Sequence, residues 1–579
     1  MANAVSRNRT ILQLLVLTLV CSSALATDRT TFVIPIENRS SNVETVTNAR
    51  FADEITGDGL SDGKLSKSWQ AYIRLWKAHY AAPSNKAIRR YFGLPLEGKV
   101  QIKRSAGRSA PSFLRWRRAS YVEFETPHFV IYSRAADQET RSVAEDMEQC
   151  YWIWTQMFFP LWEGNQQVAV TMADYDPNQS IAEFLEHRPS RLSARKKMQV
   201  VLLRDAKEYI ATLGRDMPGV ERSTGFYSDE NRTIFLFAGH EETVATRRHE
   251  LTHQLFREAT RPTRSRSTRQ KMPGEDSGFW LVEGIAGYFE SMSVGRPSGV
   301  CDGVATLGGW DSSRLAYARY RILVGNDFMP LDELERDGRV DAQQRSDLAR
   351  WYAHAITHTH FLLDGGKPSN RKWVYHRLAE IYGIESSMDG PNEQEVTVAQ
   401  LRGFLSVTDQ HLLDNTITMP ITRLCLAGCE VTEKGLRSIP AQQELQWLDL
   451  SRLKVGSDEV IRLVPIVNSL KQLSLEATAV DGRIVDWISA GVDLEEIDLS
   501  FTPVDDELAT VIGKFQKLQT LWLTGTHISD RTMDAIESLP NLQAVDVQRT
   551  KVSVEQLKKF TTARPGVKVN PLELRTERQ

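Results

Sequence analysis

Within 579 residues, one motif returns six times at an almost constant interval, and that interval dictates what the last quarter of the chain can fold into. Leu445, Leu448 and Leu450 recur as Leu470/Leu473/Leu475, Leu494/Ile497/Leu499, Leu518/Leu521/Leu523 and Leu542/Val545/Val547, with an earlier copy at Ile421/Leu424/Leu426. The copies start at 421, 445, 470, 494, 518 and 542. Three positions after each last apolar residue stand Cys429, Leu453, Thr478, Thr502, Thr526 and Thr550. Two positions further on stand Val431, Val455, Val480, Val504, Ile528 and Val552. A unit this short cannot close a core alone, but stacked copies bury one continuous core. The spacing predicts an α/β solenoid over residues 416–570. Cys425, Asp449, Ser474, Asp498, Trp522 and Asp546 alternate with the inward positions. They are expected to lie exposed on a concave surface that receives a protein partner. Cys429 then points inward and Cys425 outward, which places them poorly for bridging each other.

A second stretch carries chemistry. Arg248-His249-Glu250-Leu251-Thr252-His253-Gln254 contains His-Glu-x-x-His. On a helix, positions i and i+4 lie on one face, so His249 and His253 can address one metal ion. Glu250 falls on the adjoining face, placed to take a proton from water. Thr233 to Phe237 reads as a strand, broken by Gly239, and Glu241 and Glu242 suit a helix's first turn. Val244, Leu251, Leu255 and Ala259 then give a buried stripe at helical spacing. A catalytic zinc site needs a third protein ligand. Glu283 sits among Leu281, Ile285, Ala286 and Phe289, where a carboxylate without a partner is costly. Zn²⁺ held by His249, His253 and Glu283 is such a partner.

At these residues the chain resembles the gluzincin metallopeptidases. Trp280-Leu281-x-Glu283-Gly284-x-Ala286-x-Tyr288-x-Glu290 is similar to the second active-site helix of the membrane alanyl-aminopeptidases. Val282 stands where those enzymes usually carry Asn, and no Gly-x-Met-Glu-Asn segment precedes it, so capture of a free amino terminus is not implied. A closer resemblance is to secreted bacterial peptidase-MA-like domains. It rests on Glu125 to Tyr132, the two metal helices, and Met329-Pro330-Leu331-Asp332-Glu333-Leu334, and covers roughly residues 119–410. It implies an α+β zincin-like domain with a Tyr or His downstream of the third ligand to stabilise an oxyanion. Tyr352, His354 and His358 stand where such a group is expected. The repeats resemble leucine-rich repeats, with Thr and Cys where Asn often occurs.

The rest of the chain sets bounds. Net charge is −3, which gives no global attraction to nucleic acid or anionic membrane. Arg7 and Arg9 precede an apolar run from Ile11 to Val20 and then Ala24-Leu25-Ala26, which reads as a signal peptide over 1–26. The run is too short to span a bilayer, and export to the periplasm, cell envelope or medium is expected, with no transmembrane anchor after signal removal. Cys150, Cys301, Cys425 and Cys429 lack metal-knuckle spacing and read as buried or isolated thiols, with a Cys150–Cys301 bridge as the alternative. Residues 27–118 read as a helical region and basic linker. In 119–238, Phe129–Tyr132, Val168–Met172 and Val200–Leu203 read as strands and Glu139–Phe159 as a helix. Thr233–Phe237 is the strand expected to form the sheet edge and pair with an extended peptide. Arg261, Arg264, Arg266, Arg269 and Lys271 make a basic loop between the metal helices.

The sequence thus implies an exported zinc metallopeptidase (119–415) followed by about six leucine-rich repeats that recruit a protein substrate or partner. Glu250 is the expected general base and Tyr352 the expected oxyanion donor. The alternative is a protein-binding repeat module whose zinc domain is structural or weakly active.

Overall fold

The computed structural model describes residues 30–33 and 67–570, apart from 83, 97–99, 109, 163, 177, 189–190, 193–195, 216, 218, 240–242, 260–270, 295–303, 366–367, 385–393 and 415–420. The expected signal peptide, Glu241, Glu242, Cys301 and the four arginines of the basic loop therefore lie outside the described residues. A short antiparallel ladder joins β1 (Thr30–Val33) to β9 (Val304–Leu307), which also pairs with β8 (Ser293–Val294).

The first large sheet contains β2 (Lys103–Ala106), β3 (Val122–Glu125), β4 (Phe129–Ser133), β5 (Met198–Leu203), β6 (Gly225–Ser228) and β7 (Thr233–Phe237). Their order is β2-β3-β4-β5-β7-β6, with β4, β5 and β7 parallel and the outer pairings antiparallel. Every residue of β7 is buried, because layers cover both faces of the sheet. Val200, Leu202, Ile234 and Leu236 join the main core, while Val201, Leu203, Phe235 and Phe237 pack on Tyr209 and Leu213 behind it.

Three local expectations differ from this arrangement. The edge next to β7 is β6, not Thr233–Phe237. It is only four residues long with Gly225 and Ser228 at its ends, and a turn through Arg232, in the left-handed region at φ 53°, folds it onto β7. Val168 belongs to helix α2 (Gly164–Thr171), not to a strand. There Val168 is fully buried and Val170 is 75% exposed, as a helix requires, whereas a strand would put both on one face. Lys103–Ala106, within the stretch read as a linker, is strand β2, whose exposed cationic residues suit a sheet edge.

Helix α1 (Asp137–Met157) spans the stretch rich in aromatics, and these residues are buried. The segment before residue 119 packs onto it. The helix Lys67–Ala81 stacks Tyr72 on Phe159 at 3.9 Å, and Trp76 stacks on Phe92 at 4.3 Å. Helices α3 (Thr243–Ala259) and α4 (Phe279–Glu290) follow, then α5 (Ser313–Arg319) and α6 (Leu348–Asp364). On α3, Leu251 and Leu255 are buried but Val244 is 38% exposed, so the stripe begins two turns later than its spacing implied.

Seven parallel strands form the second large sheet in chain order: β10 (Arg423–Cys425), β11 (Trp447–Asp449), β12 (Gln472–Ser474), β13 (Glu496–Asp498), β14 (Thr520–Trp522), β15 (Ala544–Asp546) and β16 (Lys568–Val569). Leu424, Leu448, Leu473, Ile497, Leu521 and Val545 stand directly beside one another and share one core. After each of the first six strands the chain turns through a left-handed residue: Gly428, Arg452, Ala477, Phe501, Gly525 and Arg549, with φ from 53° to 69°. The next residue locks the turn. The hydroxyls of Thr478, Thr502, Thr526 and Thr550 donate to the carbonyls of Leu475, Leu499, Leu523 and Val547 at 2.6–2.7 Å.

Cys425, Asp449, Ser474, Asp498, Trp522 and Asp546, expected to be exposed, are all buried. Two causes account for four of them. The carboxylates of Asp449, Asp498 and Asp546 fold back to accept from the amides of Ser451, Ser500 and Gln548. The first strands are also covered: Ala316 and Tyr320 pack on Cys425, Ala427 and Trp447. Arg319, at the end of α5, crosses this joint. It is 2% exposed and donates to the carbonyls of Trp310, Leu405 and Cys425 at 2.6, 3.0 and 2.8 Å. Cys425 and Cys429 are buried free thiols, as is Cys150, whose thiol lies 3.8 Å from the Met292 sulfur.

Candidate metal centre

Helix α3 carries His249, Glu250 and His253, and three ties fix it. Gln254 donates to the carbonyls of Gln199 in β5 and Arg232 before β7. Arg247 and Arg248 clamp Asp146 of α1 at 2.7 and 2.8 Å. Burial alone would raise the Asp146 pKa, but the two guanidiniums reverse this and hold it near 2. Arg248 also donates to the Met292 carbonyl just beyond α4.

Helix α4 is apolar on every side, which suits a helix buried all round. Its closeness to α6 depends on two glycines. A β-carbon on Gly284 would lie 2.0 Å from Thr359 Oγ1, and one on Gly287 would lie 2.5 Å from Ile356 Cδ1. A side chain at 284 would also meet the Ala355 carbonyl at 3.0 Å, whereas at 287 the Ile356 side chain would have to give way. Between these helices Glu283 is carried to the two histidines.

His249 Nε2 lies 3.2 Å from Glu283 Oε2, and His253 Nε2 lies 3.6 Å from Glu283 Oε1. One donor atom from each of the three residues falls within 4.8 Å of the others, and no further such group occurs among the described residues. The opposite nitrogen of His249, Nδ1, lies 2.9 Å from Glu290 Oε1. Arg314 of α5 holds Glu290 through both oxygens at 2.6 and 2.9 Å. An ionised carboxylate only accepts, so Nδ1 bears a hydrogen toward Glu290, which would leave Nε2 as the donor atom to a cation bound in the cluster. Two imidazole nitrogens and a carboxylate with an oriented tautomer form a donor set suited to Zn²⁺.

With no cation between these groups, a proton on His249 takes its place, and a bound metal would have to displace it. Burial opposes a charge on His249, but Glu283 and Glu290 outweigh it and raise the imidazole to about 10. At His253 burial prevails and lowers the pKa to about 4. Burial raises Glu283, yet the histidines pull it down to about 2, and Arg314 with His249 does the same for Glu290. The group gathers positive charge between its carboxylates.

Glu250 points beside this cluster. Its Oε2 accepts from the Tyr227 amide of β6 at 2.7 Å, and burial raises its pKa. The same strand comes close to α3 because position 225 has no side chain; a β-carbon there would lie 2.7 Å from Thr246 Cγ2. Tyr352 of α6 reaches the cluster from the far side. The charge of Glu283, burial and a hydrogen bond to Glu283 all keep its phenol protonated. His354 and His358 do not come there: His354 Nε2 lies 3.7 Å from Asp327, and His358 Nε2 lies 2.9 Å from the Met329 carbonyl. Glu290 and Arg314 were not read as site residues. Glu290 was detectable, because it follows Glu283 by seven residues and so shares its helix face. No local sequence signal marked Arg314.

No protein-family model matches the chain, and no curated protein matches it. Among solved structures, a leucine-rich-repeat protein of Leptospira interrogans is similar at 20% identity, covering 26% of this chain and 48% of its own, with a TM-score of 0.19. The present chain thus spans about half the length of that neighbour.

Proposed function

We propose that the protein is an exported, zinc-dependent peptidase of the gluzincin type, whose C-terminal segment is a leucine-rich-repeat array. The observation that carries this reading is the convergence of His249, His253 and Glu283 with Glu250 held alongside by the edge strand β6. Zinc bound by those three side chains would supply Lewis acidity and lower the pKa of a water molecule. Glu250, its basicity strengthened by burial, takes a proton from the attacking water and passes it to the leaving nitrogen. Tyr352 donates to the oxyanion that forms on the former carbonyl oxygen. Glu290 and Arg314 hold the His249 ring in its donor orientation. An extended substrate aligns along β6, where main-chain hydrogen bonds set its register. Among the described residues, no helix is long and apolar enough to cross a membrane.

Metal analysis of residues 27–579, beside His253→Ala and Glu283→Ala, tests the site. About one zinc per chain, lost in both variants, is expected. A peptide library then tests the reaction, with Glu250→Gln keeping zinc and losing hydrolysis. A folded wild-type chain that binds no zinc, or hydrolysis that survives Glu250→Gln, would overturn the proposal.

A further inference from the structure

Two polar side chains flank the metal cluster without joining it, each one helical turn from a member of the cluster. Phe279 precedes Glu283 by four residues on α4, and the Arg339 guanidinium lies over its ring at 5.2 Å. Phe256 follows His253 by three residues on α3, and the Tyr382 ring stacks on it at 5.1 Å. Burial is the largest influence on the pKa of His253, Glu283 and Tyr382, and the charge of Arg339 acts on all three. Arg339 and Tyr382 therefore border the same edge of the cluster, the one formed by His253 and Glu283.

Arg339 is held in place while its donors stay unused. Its amide donates to the Gly274 carbonyl at 2.8 Å. Gly338 lets the two segments close up, since a β-carbon there would lie 2.4 Å from the Glu275 carbonyl oxygen. The guanidinium is half-buried and, among the described residues, makes no hydrogen bond or ion pair. The acids nearest it in these segments are engaged elsewhere. Glu335 accepts from Trp280 at 2.7 Å, Asp337 from Arg345 at 2.9 Å, and Glu275 from the Met272 amide at 2.8 Å. The sequence from 260 to 270 contains no acid. Stacking on Phe279 occupies a face of the guanidinium and leaves its N–H edge to a ligand. Tyr382 is 8% exposed, and its hydroxyl likewise has no hydrogen-bond partner among the described residues.

We infer that Arg339 is a specificity-determining residue that receives a carboxylate of the substrate beside the metal centre, with the Tyr382 hydroxyl as a second donor. The inference rests on the peptidase reading and adds the substrate's chemical class to it. A planar guanidinium whose backbone is already anchored loses little freedom when a carboxylate arrives. Two sources offer that carboxylate: an acidic side chain or the free C-terminus of a peptide.

Three small probes distinguish them in zinc-loaded Glu250→Gln protein, with binding read by NMR titration. N-acetylglutamic α-amide carries only the side-chain acid, N-acetylglutamine only the terminal acid, and N-acetylglutamine amide neither. One of the two acids is expected to bind at least about 10-fold tighter than the neutral probe. Arg339→Gln should bring that ratio to about one while zinc content stays unchanged. Arg339→Lys, which keeps the charge without the planar fork, should retain part of it. Tyr382→Phe, which removes only the hydroxyl, should lower it about 3-fold. Equal binding of all three probes overturns the inference. So does an acid preference that persists in Arg339→Gln, as it would if zinc alone held the acid. Peptide hydrolysis by the wild-type chain is read separately. Acid binding without hydrolysis removes the peptidase reading, whereas hydrolysis without acid preference removes only the role of Arg339.

Discussion

The Nδ1 of His249 and the carboxylate of Glu290 lie 2.9 Å apart, and Glu290 is in turn held through both oxygens by Arg314. A ligand histidine anchored in this way keeps one tautomer and one ring orientation. Glu290→Gln keeps an acceptor but loses the charge, and is expected to weaken zinc binding by about 10- to 100-fold. Competition with a chromophoric chelator measures this directly. Unchanged zinc affinity would show that Glu290 serves packing alone.

Gly284→Ala tests how Glu283 is positioned. Alanine is the better helix former by about 1 kcal/mol, yet its methyl would lie 2.0 Å from Thr359 Oγ1 and 3.0 Å from the Ala355 carbonyl. The clash outweighs the propensity, and a net loss of about 1–3 kcal/mol with reduced zinc occupancy is expected. Adding Thr359→Ala removes the nearer obstacle and should restore part of both. A thermal melt with parallel metal analysis decides the matter.

Asp146 predicts a pH dependence. Its pKa is held near 2, below the ordinary carboxylate value, by Arg247 and Arg248. A depressed acid contributes stability that is present above its unfolded pKa and fades as pH falls toward its folded pKa. Wild type should therefore exceed Asp146→Asn by about 3 kcal/mol at neutral pH, and the gap should narrow between about pH 4 and 2. Urea unfolding in the presence of a chelator measures it without interference from metal loss. A gap independent of pH would exclude the charge as its source.

Ala477 occupies a left-handed turn at φ 53°, where Gly428 and Gly525 serve in other repeats. Ala477→Gly should stabilise the array by about 0.5–1 kcal/mol, the strain relieved exceeding the extra freedom of the unfolded chain. Amide exchange of the neighbouring strands β12 and β13 should slow accordingly.

The sequence displays periodicities better than it displays neighbours. The i, i+4 spacing of His249 and His253, the lone acid Glu283 in an apolar run, and the 24-residue interval of the leucines are all local patterns. The structure places those histidines and that acid together. Arg314 reaches the cluster from a helix 24 residues beyond Glu290, and a contact of that kind leaves no periodic trace. Burial of Cys425 and Trp447 depends on α5 packing over the first strands, more than a hundred residues earlier in the chain. The β6 edge was missed for the opposite reason: Gly225 is a poor strand residue but the one that lets the strand approach Glu250.

Arg319 implies an order of events. Its three carbonyl acceptors lie 9, 86 and 106 residues away, so no early local structure can satisfy it. The guanidinium must remain hydrated until the repeat sheet and the helices before it have met. We expect these long-range bonds to form late, beyond the barrier to folding. Weakening them should hasten unfolding while leaving the folding rate almost untouched, which makes this one side chain a brake on the lifetime of the native state.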